Sequence, residues 1–205
     1  MPKLHVLFKK EELDPGRLQD KVVIVLDVLF ATSTIVHAFS QGIRCIWPAR
    51  DAEDALRIAA GLDAPLLAGE YLAAGLPGFG APTPLALCEM QVADATLVYA
   101  TTNGTVALNN AADAAQVYVG ALLNGAALVA HVASRHPHAN VLVDLTLRVP
   151  IFFAAAAANH IALYLPSPDL TIWEQEVLKD MRVQSPSNGS MWMKSGVWTC
   201  KVRRT

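Results

Sequence analysis

The sequence predicts an α/β fold, a three-layer α/β/α arrangement around a mostly parallel sheet, and three observations predict it. Short apolar runs recur at 22–26, 96–100 and 140–145, each of a length that suits a strand buried on both faces. Helix-length segments with apolar stripes lie between the strands, so the two alternate from residue 22 to residue 145, as crossover connections in a parallel sheet require. Apolar residues make up 53% of the 205 residues against 17% charged, enough to bury the core of one domain.

The elements follow in order. Residues 4–8 read as a short strand, and 11–20 as a polar loop around an Asp14-Pro15-Gly16 turn. After the strand at 22–26, a helix is expected over 34–41 with Gly42 as its stop. Residues 43–47 form a strand that Pro48 should end. Residues 51–60 form an amphipathic helix with Ala52, Ala55, Leu56 and Ala59 on one stripe. A short strand at 65–68 delivers Gly69-Glu70, and the Gly- and Pro-rich stretch 71–89 reads as a long irregular excursion. Strand 96–100, helix 106–114, strand 117–122, helix 126–134 and strand 140–145 complete the alternation.

Beyond this the composition changes. Alanine, abundant up to Ala162, is absent from 163–205, while lysine, absent between Lys21 and Lys179, returns there with Trp173, Trp192 and Trp198. Residues 1–162 therefore read as the α/β domain and 163–205 as a distinct tail. A short helix over 172–181 and a turn-like, polar 185–195 leave that tail without a periodic apolar face.

A formal net charge of −2 gives no electrostatic ground for nucleic acid or an anionic membrane as partner. Cys45, Cys88 and Cys200 lie far apart, which indicates neither a zinc site nor a disulfide framework. The charged N-terminus is unlike a signal peptide, and the alanine-rich run at 151–164 is short for a membrane span. A cytoplasmic protein is expected. The histidines have no metal-ligand spacing, and His131, His136 and His138 read as part of a solvated loop around Pro137.

Two stretches repeat one design. Strand 22–26 ends in Asp27 and leads through Thr32, Ser33 and Thr34 into a helix; strand 96–100 ends in Thr101-Thr102-Asn103-Gly104-Thr105 and leads into another. Open α/β sheets bind ligands outside the carboxyl ends of their strands. Hydroxyls and free N–H groups at a helix start suit an anion, and Gly104 allows close backbone approach. The same residues also serve as plain helix caps. Asp27 and Glu70, each at the end of an apolar strand, could meet in one crevice, and two carboxylates beside hydroxyl-rich turns are what a magnesium-dependent phosphatase needs. Ser33 lacks the G-x-S-x-G context of a hydrolase elbow, and Leu29 stands where a second aspartate of a phosphoaspartyl pair would be.

The blocks D-V-L-x-A-T-S-T (27–34), Gly69-Glu70, Gly78-Phe79, T-T-N-G-T (101–105) and Gly120-x-x-x-Asn124 follow one another as in the 2-phosphosulfolactate phosphatase family, which this chain resembles over roughly 3–145. The resemblance implies an α/β/α, magnesium-dependent phosphatase of coenzyme M biosynthesis, with a small phosphorylated anion as substrate and a homodimer as assembly. Asp27 and Glu70 would be the catalytic and metal-holding carboxylates. Thr32, Ser33, Thr34, Thr101, Thr102, Asn103, Gly104, Thr105 and Asn124 would hold the phosphate and the rest of the substrate.

The departures from the family bear on charge. Phe30 and Tyr71 stand where the family usually has arginines, and Gly80 to Pro84 reads G-A-P-T-P in place of D-x-G-N-S-P. A Cys-Ala-Gly turn is replaced by Asp144-Leu145-Thr146, close to the compositional break. A reading-frame shift in the coding sequence would produce such a break, and resequencing the gene tests for one. Arginine binds polyanions through a bidentate fork that phenylalanine cannot replace. The alternative to a phosphatase is therefore a catalytically impaired relative that binds a phosphorylated small molecule or acts as an assembly subunit.

Overall fold

The protein is described here as a computed structural model of residues 2–27, 30–146, 191–194 and 197–200, the last two segments in backbone only. The strands are β1 (Leu4–Leu7), β2 (Lys21–Leu26), β3 (Cys45–Ala49), β4 (Leu66–Tyr71), β5 (Ala74–Gly75), β6 (Thr96–Ala100), β7 (Gln116–Gly120), β8 (Asn140–Leu145), β9 (Met191–Lys194) and β10 (Val197–Cys200). The helices are α1 (Ala31–Ser40), α2 (Ala52–Ala59), α3 (Pro84–Glu89), α4 (Gly104–Asn110) and α5 (Gly125–Arg135).

The α/β class and the mostly parallel pairing are as the sequence predicts, but the strands are dealt into two sheets. One has the order β1-β8-β2-β7-β10-β9, the other β3-β6-β4-β5. β1, β8, β2 and β7 are mutually parallel, and β10 joins β7 antiparallel with β9 beyond it. In the second sheet β3, β6 and β4 are parallel, and β5 folds back on β4 as a hairpin.

Side-chain alternation along the strands explains how the sheets are covered. Val23 and Val25 of β2 share a core with Leu97 and Tyr99 of β6, and with Ile35, Val36 and Phe39 of α1 and Ala107 and Leu108 of α4. Successive strand residues point to opposite faces, so Val22, Ile24 and Leu26 meet Ala127, Leu128 and Val132 of α5 on the outer face. Val98 and Ala100 likewise meet Ala55 of α2 on the outer face of the second sheet. α1 and α4 thus lie between the sheets, which is why α1 buries Ala31, Thr32, Thr34, Ile35, Val36, Ala38 and Phe39, more than a single stripe. Truncating the fully buried Phe39 to alanine would cost about 3–5 kcal/mol.

Local chemistry sets the ends of the elements. Asp51 caps α2 by accepting from the Asp54 amide at 2.8 Å, while the Arg50 amide donates to Asp54 Oδ2 at 3.0 Å, a reciprocal cap. Gly42, at φ +83°, turns the chain out of α1. Pro48 lies inside β3 instead of ending it, because β3 is an edge strand whose outer side needs no ladder donor. α1 begins at Ala31, three residues earlier than expected, since its hydroxyls lie inside the first turn.

Several loop expectations are corrected. The 71–89 excursion is largely built: the β4–β5 hairpin, a bridge between Ala68 and Gly80, and α3, capped by Thr83 with Pro84 at its first position. Loop 11–20 buries Leu13 and Leu18 in the central core. His131 lies on α5 against the core Tyr118, and His136, just past the helix end, bonds the Tyr118 hydroxyl at 2.8 Å, while His138 is exposed in the turn as expected. Residues 191–194 form a strand within the stretch expected to be turn-like. The alanine-rich run, the helix over 172–181 and the boundary between 162 and 163 lie outside the described residues. No helix among the described residues is long and apolar enough to cross a membrane.

Candidate active site

Three strand ends open on one cleft of about 540 Å³ between the two sheets. Asp27 follows β2 of the first sheet, Glu70 lies near the end of β4, and Thr101, Thr102 and Asn103 follow β6 of the second. Phe30, Ala31, Leu72, Ala73, Pro82 and Tyr99 complete the lining. All three ends are carboxyl ends of parallel strands, where an open α/β sheet holds its ligand.

Each carboxylate is held differently. Asp27 is buried at 6% exposure, and its side chain abuts Gly104: a Cβ built on that glycine would lie 2.8 Å from Asp27 Oδ2 and 2.6 Å from the Ala31 Cβ. The close approach that Gly104 permits is thus to Asp27 and α1. Glu70 is fixed by three donors. Its Oε1 accepts from the Thr102 amide at 2.6 Å, and its Oε2 accepts from the Thr102 hydroxyl at 2.8 Å and the Ala73 amide at 2.7 Å. The Thr102 hydroxyl also accepts from the Leu72 amide at 2.7 Å. Leu72 and Ala73 both have left-handed backbone, φ +51° and +67°. Two-residue hairpin turns favour such angles, but these residue types do not, so the turn is strained and held by Glu70 and Thr102.

Most of the remaining hydroxyls stabilise their own turns. Thr32 Oγ accepts from the Asp27 amide at 2.9 Å and donates to the Asp27 carbonyl at 3.0 Å. Thr105 Oγ does the same for Thr101, at 2.8 Å from its amide and 3.0 Å from its carbonyl. Asn124 repeats the device after β7, accepting from the Ala121 amide at 2.8 Å and donating to the Val119 carbonyl at 3.0 Å. Thr34 donates to the Pro82 carbonyl at 2.9 Å, which the Tyr99 hydroxyl also bonds at 2.6 Å. The structure therefore brings Asp27, Glu70, Thr101, Thr102 and Asn103 to the cleft. Thr32, Ser33, Thr34, Gly104, Thr105 and Asn124 are outside its lining.

The electrostatics are those of a carboxylate-lined crevice. Burial, together with the Asp27 and Glu70 carboxylates, holds the Tyr99 phenol well above its usual range, so it stays protonated on Pro82. Among the described residues the lining contains no lysine or arginine, and Phe30 occupies the rim at 42% exposure. No group of three or more His, Cys, Asp or Glu side chains among the described residues is arranged to hold a metal. The donor set nevertheless fits a magnesium ion. Asp27 and Glu70 carry hard oxygen donors, and magnesium takes one or two carboxylates and completes its shell with water and phosphate oxygens.

Two functional candidates escaped sequence reasoning. Asp144 is fully buried on β8 in register with Val25, facing the central core, and among the described residues both its carboxylate oxygens lack a hydrogen-bond partner. Burial, with the Glu12, Glu11 and Asp27 carboxylates, pushes its pKa up to about 7. A charge at the inward parity of a buried strand was the available signal. Lys10 reaches from the loop after β1 to the Thr102 carbonyl and to Asn103 Oδ1, the latter at 3.1 Å. Nothing local in the sequence marks it.

The sequence model of 2-phosphosulpholactate phosphatase matches residues 7–145, which span every strand end described above. A probable 2-phosphosulfolactate phosphatase of Clostridium beijerinckii is 32% identical over 126 residues, 60% of this chain and 53% of that protein. One of Symbiobacterium thermophilum is 39% identical over 116 residues, 54% of this chain and 49% of that protein. The chain spans about half the length of the curated relatives it matches. With its fold, the order of its strand-end blocks and the match to two thirds of its length, the chain belongs to the 2-phosphosulpholactate phosphatase family.

Proposed function

We propose that the protein is a magnesium-dependent phosphatase that hydrolyses a small phosphorylated sulfo- or carboxy-hydroxy acid such as 2-phosphosulfolactate. The observation that carries this reading is the meeting of Asp27, Glu70 and the Thr101–Asn103 turn in one cleft at the strand ends. Two carboxylates beside each other repel a phosphate dianion unless a cation lies between them. Asp27 and Glu70 would hold magnesium, which when bound neutralises charge on the phosphoryl oxygens. The chain's own residues do the rest. Thr102 and Ala73 fix the Glu70 carboxylate, Gly104 and Ala31 confine Asp27, and the Asn103 side chain presents polar groups to the substrate. Leu72 and Phe30 form an apolar, exposed part of the cleft lining. A homodimer in the cytoplasm belongs to the same proposal and rests on the family resemblance; light scattering tests the assembly.

A second reading is favoured by Phe30: a cleft with no lining cation among the described residues suits a relative that binds a phosphorylated molecule but turns it over poorly. Phosphate release from a panel of phosphoesters, with magnesium and with chelator, separates the two. Metal-dependent release supports the phosphatase. No release, together with a magnesium-dependent thermal shift on adding phosphate, supports the binding relative.

A further inference from the structure

We infer that Lys10 is the cation that selects the anionic substrate, in place of the arginines that the cleft lacks. The inference rests on the reading of the cleft as a phosphoester site. An anion with two or three charged groups needs positive charge from the protein as well as from a metal, and the lining supplies none among the described residues. Of the other cations, Arg44 bonds Thr96 at the opposite end of β6, and Lys21 pairs with Asp20 at the opposite end of β2. Lys10, half-buried in the turn Lys10–Glu12, crosses to the second hydroxyl turn and bonds the Thr102 carbonyl and Asn103 Oδ1. Both partners line the cleft. An ammonium has three N–H donors. Two are engaged, and the third has no acceptor among the described residues.

The ammonium itself is outside the cleft lining and is anchored on two residues of that lining. An anchored ammonium binds a second anionic group of the substrate, a sulfonate or carboxylate, while the phosphate sits between Asp27 and Glu70 with the metal. Lys10 is in this account a specificity residue for the substrate's distal anion.

The test compares wild type with Lys10→Met, Lys10→Arg and Lys10→Met/Phe30→Arg in the full chain with magnesium. Two substrates are used, a phosphoester bearing a carboxylate or sulfonate and one with an uncharged tail. Loss of a charge-assisted hydrogen bond should raise KM for the first about tenfold in Lys10→Met, with little change for the second and in kcat. Lys10→Arg should keep most of the selectivity, and Phe30→Arg should restore part of it. Equal KM changes for both substrates, or a fall in kcat alone, would mean that Lys10 only props the turn, and the inference fails. If wild type releases no phosphate, the phosphatase reading fails by itself, and sulfate-induced thermal shifts decide on Lys10. A shift in wild type that shrinks in Lys10→Met supports it; no shift, or equal shifts, overturns it. Should Lys10→Met not fold, Lys10→Gln carries the same comparison.

Discussion

The turns after β2 and β6 look alike in sequence and differ in what they leave free. In the first, the Thr32 hydroxyl is bound to both backbone groups of Asp27, and Thr34 to Pro82. In the second, Thr105 is bound in the same way to Thr101, but Thr102 and Asn103 face outward to Glu70, Leu72 and Lys10. The first turn therefore contributes a carboxylate and the second a polar platform. A hydroxyl-rich helix start is thus not by itself a ligand site, because a buried hydroxyl satisfies the nearest backbone group first.

Among changes in these turns, the largest stability effect should come where the two touch. Gly104→Ala places a methyl group 2.6 Å from Ala31 and 2.8 Å from the Asp27 carboxylate, and chemical denaturation should show a loss of about 3 kcal/mol. Unchanged stability would mean that the turns are not packed against each other. Next, Thr105→Val and Thr102→Val should separate the two kinds of hydroxyl. Thr105→Val leaves the buried Thr101 amide without its acceptor and should cost about 2 kcal/mol with KM little altered. Thr102→Val should cost less stability and more activity, because it removes one of the three donors that fix Glu70 and the acceptor of the Leu72 amide. Equal stability losses would erase the distinction.

A third strand end sharpens the contrast, because among the described residues neither carboxylate oxygen of Asp144 has a hydrogen-bond partner. Its pKa is raised to about 7, so the folded state binds a proton that the unfolded state has already released. This stabilisation is complete below the unfolded carboxyl pKa and is lost as pH rises through about 7. Between those limits wild-type stability should fall by about 1.4 kcal/mol per pH unit relative to Asp144→Asn, and Asp144→Asn should be the more stable protein at pH 8. Parallel pH–stability curves for the two proteins would show that Asp144 is solvated or paired. The smallest effect is expected at the hairpin tip. Leu72→Asn with Ala73→Gly supplies residues that accept φ above zero and should raise stability by about 1 kcal/mol.

Legibility followed the range of the interactions. β6 and β8 have the bounds that their apolar runs predict, and the Asp27 and Glu70 positions follow from strands that end in a charge. Which strands neighbour one another was not legible: alternation implies parallel strands, but it does not say that β3, β4 and β6 leave β2 to form a second sheet. The 72–73 turn was missed because Leu-Ala carries none of the Asn or Gly signal of a tight hairpin. Lys10 was missed because its importance depends on a contact with Thr102 and Asn103, far along the chain.

The most direct test of the account is phosphate release by Asp27→Asn, with magnesium and a sulfonated or carboxylated phosphoester, in a protein whose melting temperature matches wild type. The account predicts a fall of about a thousandfold, the scale at which a group central to the chemistry acts, and loss of the metal dependence. Release at the wild-type rate would contradict it and move the site away from the β2 strand end.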